Sequence, residues 1–339
     1  MNPRLEKQLQ TLAVIVACGA TAGLVFNVPQ GRSAIVGMTY GIVMSSVLGA
    51  IEIFVLSGSL RDWLARFPFT VSLAIRTAVY AVGIAVIQWF QPGEHLVGMS
   101  LGANNASFWN GFAYSAAVSV LFNIGFAVTN LIGGRSFLNF ISGRYHTPVE
   151  ENRFVLFVDI AGSTGLAEQL GGVAIHKLLD RTFRLLTLSV VDYRGEVLNY
   201  VGDEVIVTWP EKVGAVDCRP LRCFLGMRKD LAAASTQLQR EFGVVTRIRG
   251  SLHFGPVIVG EIGDVKRAIV FNGDVMNTAA RLEELSRNVD GGFLASRAAM
   301  ERFTSALPFP VRDLGRLEIR GRVDGIDVVG MDAPIAAIA

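Results

Sequence analysis

Four long apolar runs, near residues 12–28, 34–56, 70–90 and 112–132, constrain this chain more than any other feature. Each is close to the roughly 20 residues that an α-helix needs to cross the hydrocarbon core of a bilayer. In lipid the backbone has no water to bond, so a segment of this kind closes its own hydrogen bonds as a helix. The first run follows Arg4 and Lys7, but three more follow it and Gly19–Ala22 makes a poor cleavage site, so it reads as a span and not a cleaved leader. Basic residues set the orientation. Arg4 and Lys7 precede the first span, Arg61 and Arg66 lie between the second and third, and Arg135 and Arg144 follow the fourth. The first outer loop has only Arg32, and residues 91–110 contain no Lys or Arg. The expected arrangement is a multi-pass protein of the cell's inner (plasma) membrane, in contact with lipid, with its N-terminus and C-terminal half in the cytoplasm.

Composition agrees. Of the 339 residues 51% are hydrophobic and 18% charged, too apolar for an ordinary soluble chain. A formal net charge of +2 gives no electrostatic footprint for nucleic acid, which is not expected as a partner. Cys18, Cys218 and Cys223 are too few for a disulfide framework and read as free thiols. Glu52 and Arg76 fall inside spans, near their inner ends. Two readings stand for them: a structural contact or snorkelling, or a part in sensing a signal. The expected domains are a membrane domain over 1–133, a cytosolic linker over 134–150 and a catalytic domain over 151–334. The linker's Phe137, Leu138 and Ile141 would share a helical face, as a plain membrane exit or as a transmitter.

Residues 153–210 carry the chemistry. RFVLFVD is an apolar β-rich run ending at Asp159, followed by Gly162, Ser163 and Thr164 and then a helical stretch. Residues 197–201 and 204–209 are two more β runs, with Gly202-Asp203 between them as a hairpin turn. Two carboxylates therefore arrive at one edge of a sheet, beside the start of a helix. Carboxylate oxygens suit Mg²⁺, and the free N–H groups of a helix start suit a polyphosphate. Farther on, helices are expected over 173–193 and 220–242. Strands are expected over 246–254 and 257–260, with a turn at Gly255-Pro256 between them. A short strand at 268–271 leads to a helix over 273–285, on which Asn277 and Arg281, four apart, share a face. The β-α-β-β-α-β order predicts an antiparallel sheet with helices on one face.

FVDIAGST, YVGDE and NGDVMNTAARLEE, in this order, resemble the motifs of the class III nucleotidyl cyclases over roughly the C-terminal half. The resemblance implies an α+β, ferredoxin-like catalytic domain behind the four-helix membrane domain. It implies a membrane-anchored adenylate cyclase that converts ATP to 3′,5′-cyclic AMP and pyrophosphate. It implies two Mg²⁺ per site, with Mn²⁺ able to substitute, held by Asp159, Asp203 and the main-chain carbonyl of Ile160, while Gly162, Ser163 and Thr164 meet phosphate oxygens. Asn277 would orient the ribose and Arg281 would contact the α-phosphate. In the family these come from the other catalytic domain, so this chain would act as a homodimer with composite sites. Arg320 aligns loosely with a phosphate-contacting basic residue.

The purine positions depart from the family's pattern. Where adenylate cyclases carry Lys and Asp or Thr, and guanylate cyclases Glu and Cys, this chain has Asn199 and Val270. An amide donates or accepts and so can meet either purine. The absence of Glu at 199 favours ATP. A guanylate cyclase, or a membrane receptor whose cyclase-like domain only binds nucleotide, are the other readings.

Overall fold

A computed structural model of the chain describes residues 3–64, 66–90, 105–133, 138–139, 142–265, 267–319 and 325–332. It divides into two compact units, Met1–Ile132 and Gly133–Ala339.

The first unit contains α1 (Pro3–Asn27), α2 (Ala34–Ala50, continued as a π-helix over Ile51–Ser59), α3 (Phe69–Phe90) and α4 (Asn105–Ile132). Within these, Arg4–Gln30, Ala34–Ser59, Phe69–Trp89 and Phe108–Thr129 are long and apolar enough to cross a membrane. Glycine lets α1 and α2 approach closely: a Cβ on Gly23 would stand 2.0 Å from the Gly37 carbonyl oxygen, and one on Gly41 2.1 Å from that of Gly19. Small residues at a crossing are how helices gain contact where lipid removes the hydrophobic drive. Glu52, on the π-helical segment, is buried, pairs with Arg76 and accepts from Tyr80 Oη and, at 2.5 Å, from Ser57 Oγ. The expected Glu52–Arg76 contact is present.

In the second unit β1 (Val149–Ile160) leads to α5 (Ser163–Leu170) and α6 (Gly172–Asp192). The hairpin β2 (Glu196–Val201) and β3 (Glu204–Pro210) precedes α7 (Arg219–Phe242), which has Pro at its first turn, where no N–H is needed. Then come β4 (Ile248–Ile262), β5 (Ala268–Asn272), α8 (Asp274–Ser286), β6 (Phe293–Ser296), β7 (Val311–Leu317) and β8 (Ile326–Met331). The sheet order is β2-β3-β1-β4-β6-β8-β7, with β5 on β4.

Three expectations change. The sheet is mixed, because β4 and β6 run parallel, and helices cover both faces. Alternation along β1 shows why. Phe154, Leu156 and Val158 pack with Leu178 and Leu186 of α6 and Phe224 and Met227 of α7. Val155 and Phe157 face the other way, onto Val275 and Ala279 of α8. Gly255-Pro256 is not a turn either, since β4 runs through it in unbroken register with β1, Arg153 opposite Gly255 and Asn152 opposite Pro256. The glycine serves packing, as a Cβ there would lie 2.6 Å from Val275 Cγ2. Pro256 lies between the stretch paired with β6 and the stretch paired with β5, so its missing N–H costs no ladder bond to either.

The end of the expected linker belongs to the second unit. Tyr145 is buried in the core beneath α8, and its carbonyl accepts from the Glu261 N–H at 3.0 Å. Phe137 and Ile141 lie outside the described residues.

Candidate active site

Asp159 is the penultimate residue of β1 and, by alternation from Val155 and Phe157, faces α8. It is only 4% exposed. Register sets Glu204 of β3 on one side of it and Arg249 of β4 on the other, and Arg249 Nη2 donates to its Oδ2 at 2.5 Å. Asp203 occupies the two-residue turn between β2 and β3, where Gly202 takes a φ of 63°. The Ile160 N–H donates to the Asp203 carbonyl at 3.2 Å, which holds the hairpin tip against the end of β1. Ile160's own side chain is in the core. The Asp203 carboxyl stands beside Ser163 and Asp159, both of which act on its pKa. Gly162, at φ 76°, turns the chain into α5 directly after β1, which brings Ser163 back to the turn. Five of the expected residues thus converge: Asp159, Ile160, Asp203, Gly162 and Ser163, with Thr164 next on the helix.

The electrostatics of this corner are acidic. Burial pushes the Asp159 carboxyl up, and the hydrogen bond with Asp203 adds to this against the pull of Arg249. Burial also acts upward on Asp203, but the hydrogen bonds from Ser163 and Asp159 and the field of Arg287 hold it below the usual range. The two neighbouring carboxyls are thus pushed in opposite directions, Asp159 up and Asp203 down. Burial, then Glu283 and the two aspartates, pushes Glu204 up to about 7. Burial and Asp159 do the same to Glu283, against Arg287 and Arg249. Glu283 Oε1 is buried without a hydrogen-bond partner among the described residues, 4.0 Å from Arg249 Nε. Among the described residues no three His, Cys, Asp or Glu side chains gather into a cation cage by themselves; the all-oxygen set of Asp159, Asp203 and the Ile160 carbonyl fits a hard divalent cation that takes its other ligands from water and phosphate.

Asn277 and Arg281 lie elsewhere on α8. Val275, Thr278, Ala279, Leu282, Glu283 and Ser286 form its buried stripe, while Asn277 and Glu284 are exposed and Arg281 is half-buried. Neither Asn277 nor Arg281 makes a side-chain hydrogen bond or ion pair with another described residue. Glu283 faces inward, so it does not neutralise Arg281. Asn199 sits at a β-bulge, paired with Ile206, which places it on the α8 face of the sheet; without the bulge, alternation would turn it away. Val270 pairs with Gly260, between Ile269 and Phe271, which pack under α8. Arg320 lies outside the described residues.

Sequence reasoning missed Arg249, Glu204, Glu283 and Arg287 as neighbours of Asp159. Arg249 is visible only once the β1–β4 register is known. Glu283 carried a usable signal: it is four residues from Ala279 on the inward stripe, where an acid needs a reason.

The sequence profile of the adenylate and guanylate cyclase catalytic domain matches residues 146–329. Adenylate cyclase 2 of Rhizobium meliloti (strain 1021) is 30% identical over 327 residues, covering 95% of this chain and 90% of its own. That similarity runs through the N-terminal unit as well. Adenylate cyclase 1 of the same strain is 28% identical over 189 residues, 54% of this chain and 28% of that protein. The structure of a bacterial light-regulated adenylyl cyclase shares the fold over 66% of this chain and 67% of its own, with a TM-score of 0.57 at 20% identity.

Proposed function

The chain belongs to the adenylate and guanylate cyclase family, and on that premise we propose that it is a membrane-anchored adenylate cyclase working as a homodimer. The observation that carries the reading is the convergence of the end of β1, carrying Asp159, and the hairpin tip, carrying Asp203, at the start of α5, held by the Ile160 N–H on the Asp203 carbonyl at 3.2 Å. In the reaction the ribose 3′-oxygen attacks the α-phosphorus, the bond to the β-phosphate bridge breaks, and pyrophosphate leaves with its electrons. The 3′-hydroxyl proton goes to solvent. Two Mg²⁺ per site, or Mn²⁺, would lower the pKa of that hydroxyl and neutralise the leaving pyrophosphate.

The protein's own groups do the rest. Asp159, Asp203 and the Ile160 carbonyl hold the cations, and Arg249 keeps the Asp159 carboxylate in place. The N–H groups of Gly162, Ser163 and Thr164 take phosphate oxygens at the start of α5. Asn277 orients the ribose. Arg281, whose guanidinium cannot lose its proton, meets the charge that grows on the α-phosphate during attack. These last two act on the acid cluster of a second copy, a reading supported by their position on the outward stripe of α8. The four apolar helices anchor the enzyme in the inner membrane with the catalytic unit in the cytoplasm, where the triphosphate is.

ATP is favoured over GTP because position 199 is an amide and not a carboxylate, and because two relatives are named adenylate cyclases. One adaptable amide discriminates modestly, by roughly 1–3 kcal/mol. Turnover of the purified full chain with ATP and GTP in parallel, in Mg²⁺ and in Mn²⁺, is the test. The expected result is a higher kcat/KM for ATP. A clear preference for GTP overturns the adenylate assignment, and no cyclic product from either overturns the enzyme.

A further inference from the structure

Arg153 is, after Trp209, the largest fully buried side chain of the described residues. It stands on β1 six residues before Asp159 and on the same face, so it too points beneath α8. Its Nη1 donates to Glu151 Oε2 at 3.1 Å and its Nη2 to Glu196 Oε2 at 2.5 Å. The guanidinium carbon lies 5.1 Å from the centre of the Phe271 ring. Glu151 also accepts from Tyr145 Oη at 3.1 Å and from Arg144 Nη2 at 3.0 Å.

What the guanidinium joins is informative. Glu196 opens β2, the strand of Asn199, and Phe271 is the neighbour of Val270 on β5, just before α8. β2 hydrogen-bonds to β3, and β5 to β4, so no backbone ladder links the two strands that carry the purine positions. The Arg153 side chain spans them instead, through an ion pair on one side and a cation–π contact on the other. A buried guanidinium is a poor way to gain stability, because desolvation offsets the attraction and an apolar side chain of similar size packs as well. Its use is geometric, since a planar fork fixes both direction and distance.

We infer that Arg153 is a positioning residue for purine recognition, setting the spacing between the Asn199 strand and the Val270 strand. This rests on the reading of positions 199 and 270 as the purine side of a cyclase site. The same cluster grips Arg144 and Tyr145, a few residues before β1.

The test uses the full chain with Arg153→Met, Glu196→Gln and Phe271→Leu, the last two each cutting one tie. Dissociation constants for non-hydrolysable ATP and GTP analogues are measured beside turnover. Arg153→Met should weaken the ATP analogue by about tenfold and change the ATP/GTP affinity ratio by about threefold or more. Glu196→Gln and Phe271→Leu should move the ratio in the same direction by less. The stabilisation by Mg²⁺ alone should stay as in the wild type. A ratio unchanged in all three, with affinity falling only as melting temperature falls, means a purely structural arginine and overturns the inference. If Arg153→Met does not fold, an unchanged ratio in both other variants overturns it equally. If the wild type turns over neither triphosphate, the enzyme reading fails, while the analogue ratio still decides the role of Arg153.

Discussion

In the N-terminal unit one buried carboxylate, Glu52, is met by one guanidinium, Arg76, and by the hydroxyls of Tyr80 and Ser57. At the end of β1 four acids, Asp159, Asp203, Glu204 and Glu283, crowd together with two guanidiniums, Arg249 and Arg287. Both are acid clusters with arginine beside them, yet their balance differs. The first is neutral and its carboxylate is fully bonded from within. The second has more acids than guanidiniums, with burial pushing Asp159, Glu204 and Glu283 up, and among the described residues it keeps an orphan oxygen on Glu283. A neutral, self-satisfied cluster holds helices together; a surplus of acid suits the cations proposed above.

The widest separation between the two clusters should appear in turnover. Asp159→Ala or Asp203→Ala removes half of the cation's carboxylates and should lower activity by about 10³-fold or more, with the melting temperature near that of the wild type. A folded variant that keeps more than a few per cent of wild-type turnover would show that the acid pair does not hold the catalytic cations.

Breaking the neutral cluster should act on stability. Glu52→Ala leaves Arg76 among apolar helices without its partner and should cost about 3 kcal/mol or more in thermal unfolding in detergent. The double variant Glu52→Leu/Arg76→Leu should recover much of that loss, because no charge is left unpaired. Equal stability of Glu52→Ala and wild type would mean that the pair is only a surface contact.

How far these clusters could be read from sequence follows from the range of the interactions. The four long apolar helices, the Gly202-Asp203 turn, the long catalytic helices and the Asn277–Arg281 face rest on local patterns, and they stand in the structure, with the first and fourth apolar helices starting earlier, at Pro3 and Asn105. The converging Asp159 and Asp203 were legible because each ends a strand next to a turn. Arg249 was not, since its place opposite Asp159 depends on pairing between strands nearly ninety residues apart. Gly255-Pro256 misled for a related reason. Locally it spells a turn, but the glycine is required by Val275 on a helix farther along the chain. The second helical face was missed because β1 is apolar on both sides, which alternation alone reads as a strand without saying what covers each face.

A smaller effect sharpens the comparison from the cation's side. With no nucleotide present, Mg²⁺ should raise the melting temperature of the catalytic unit. A concentration a hundredfold above its dissociation constant corresponds to about 2.7 kcal/mol. Asp203→Asn should lose most of that gain and Glu52→Ala should keep it. The same gain in Asp203→Asn, or none in the wild type, would place the cation elsewhere.

The last prediction asks where the surplus acid finds its remaining positive charge. The Glu52 cluster carries its guanidinium within the same unit, whereas Arg281 stands on the outward stripe of α8 with no described partner. If Arg281 serves the acid cluster of a second copy, two dead chains can repair each other. Asp203→Ala and Arg281→Ala should each be inactive alone. In a mixed dimer one composite site receives both lesions and the other receives neither. Random exchange of subunits puts about half of the dimers in that mixed state, each with one intact site of two, so activity should recover to about a quarter of the wild type. The proof of mixing is a tag on each chain and capture of one through the other. Captured mixed dimers without activity would mean that each site is completed within one chain, and Arg281 would then have to reach its own cluster by a change in the position of α8.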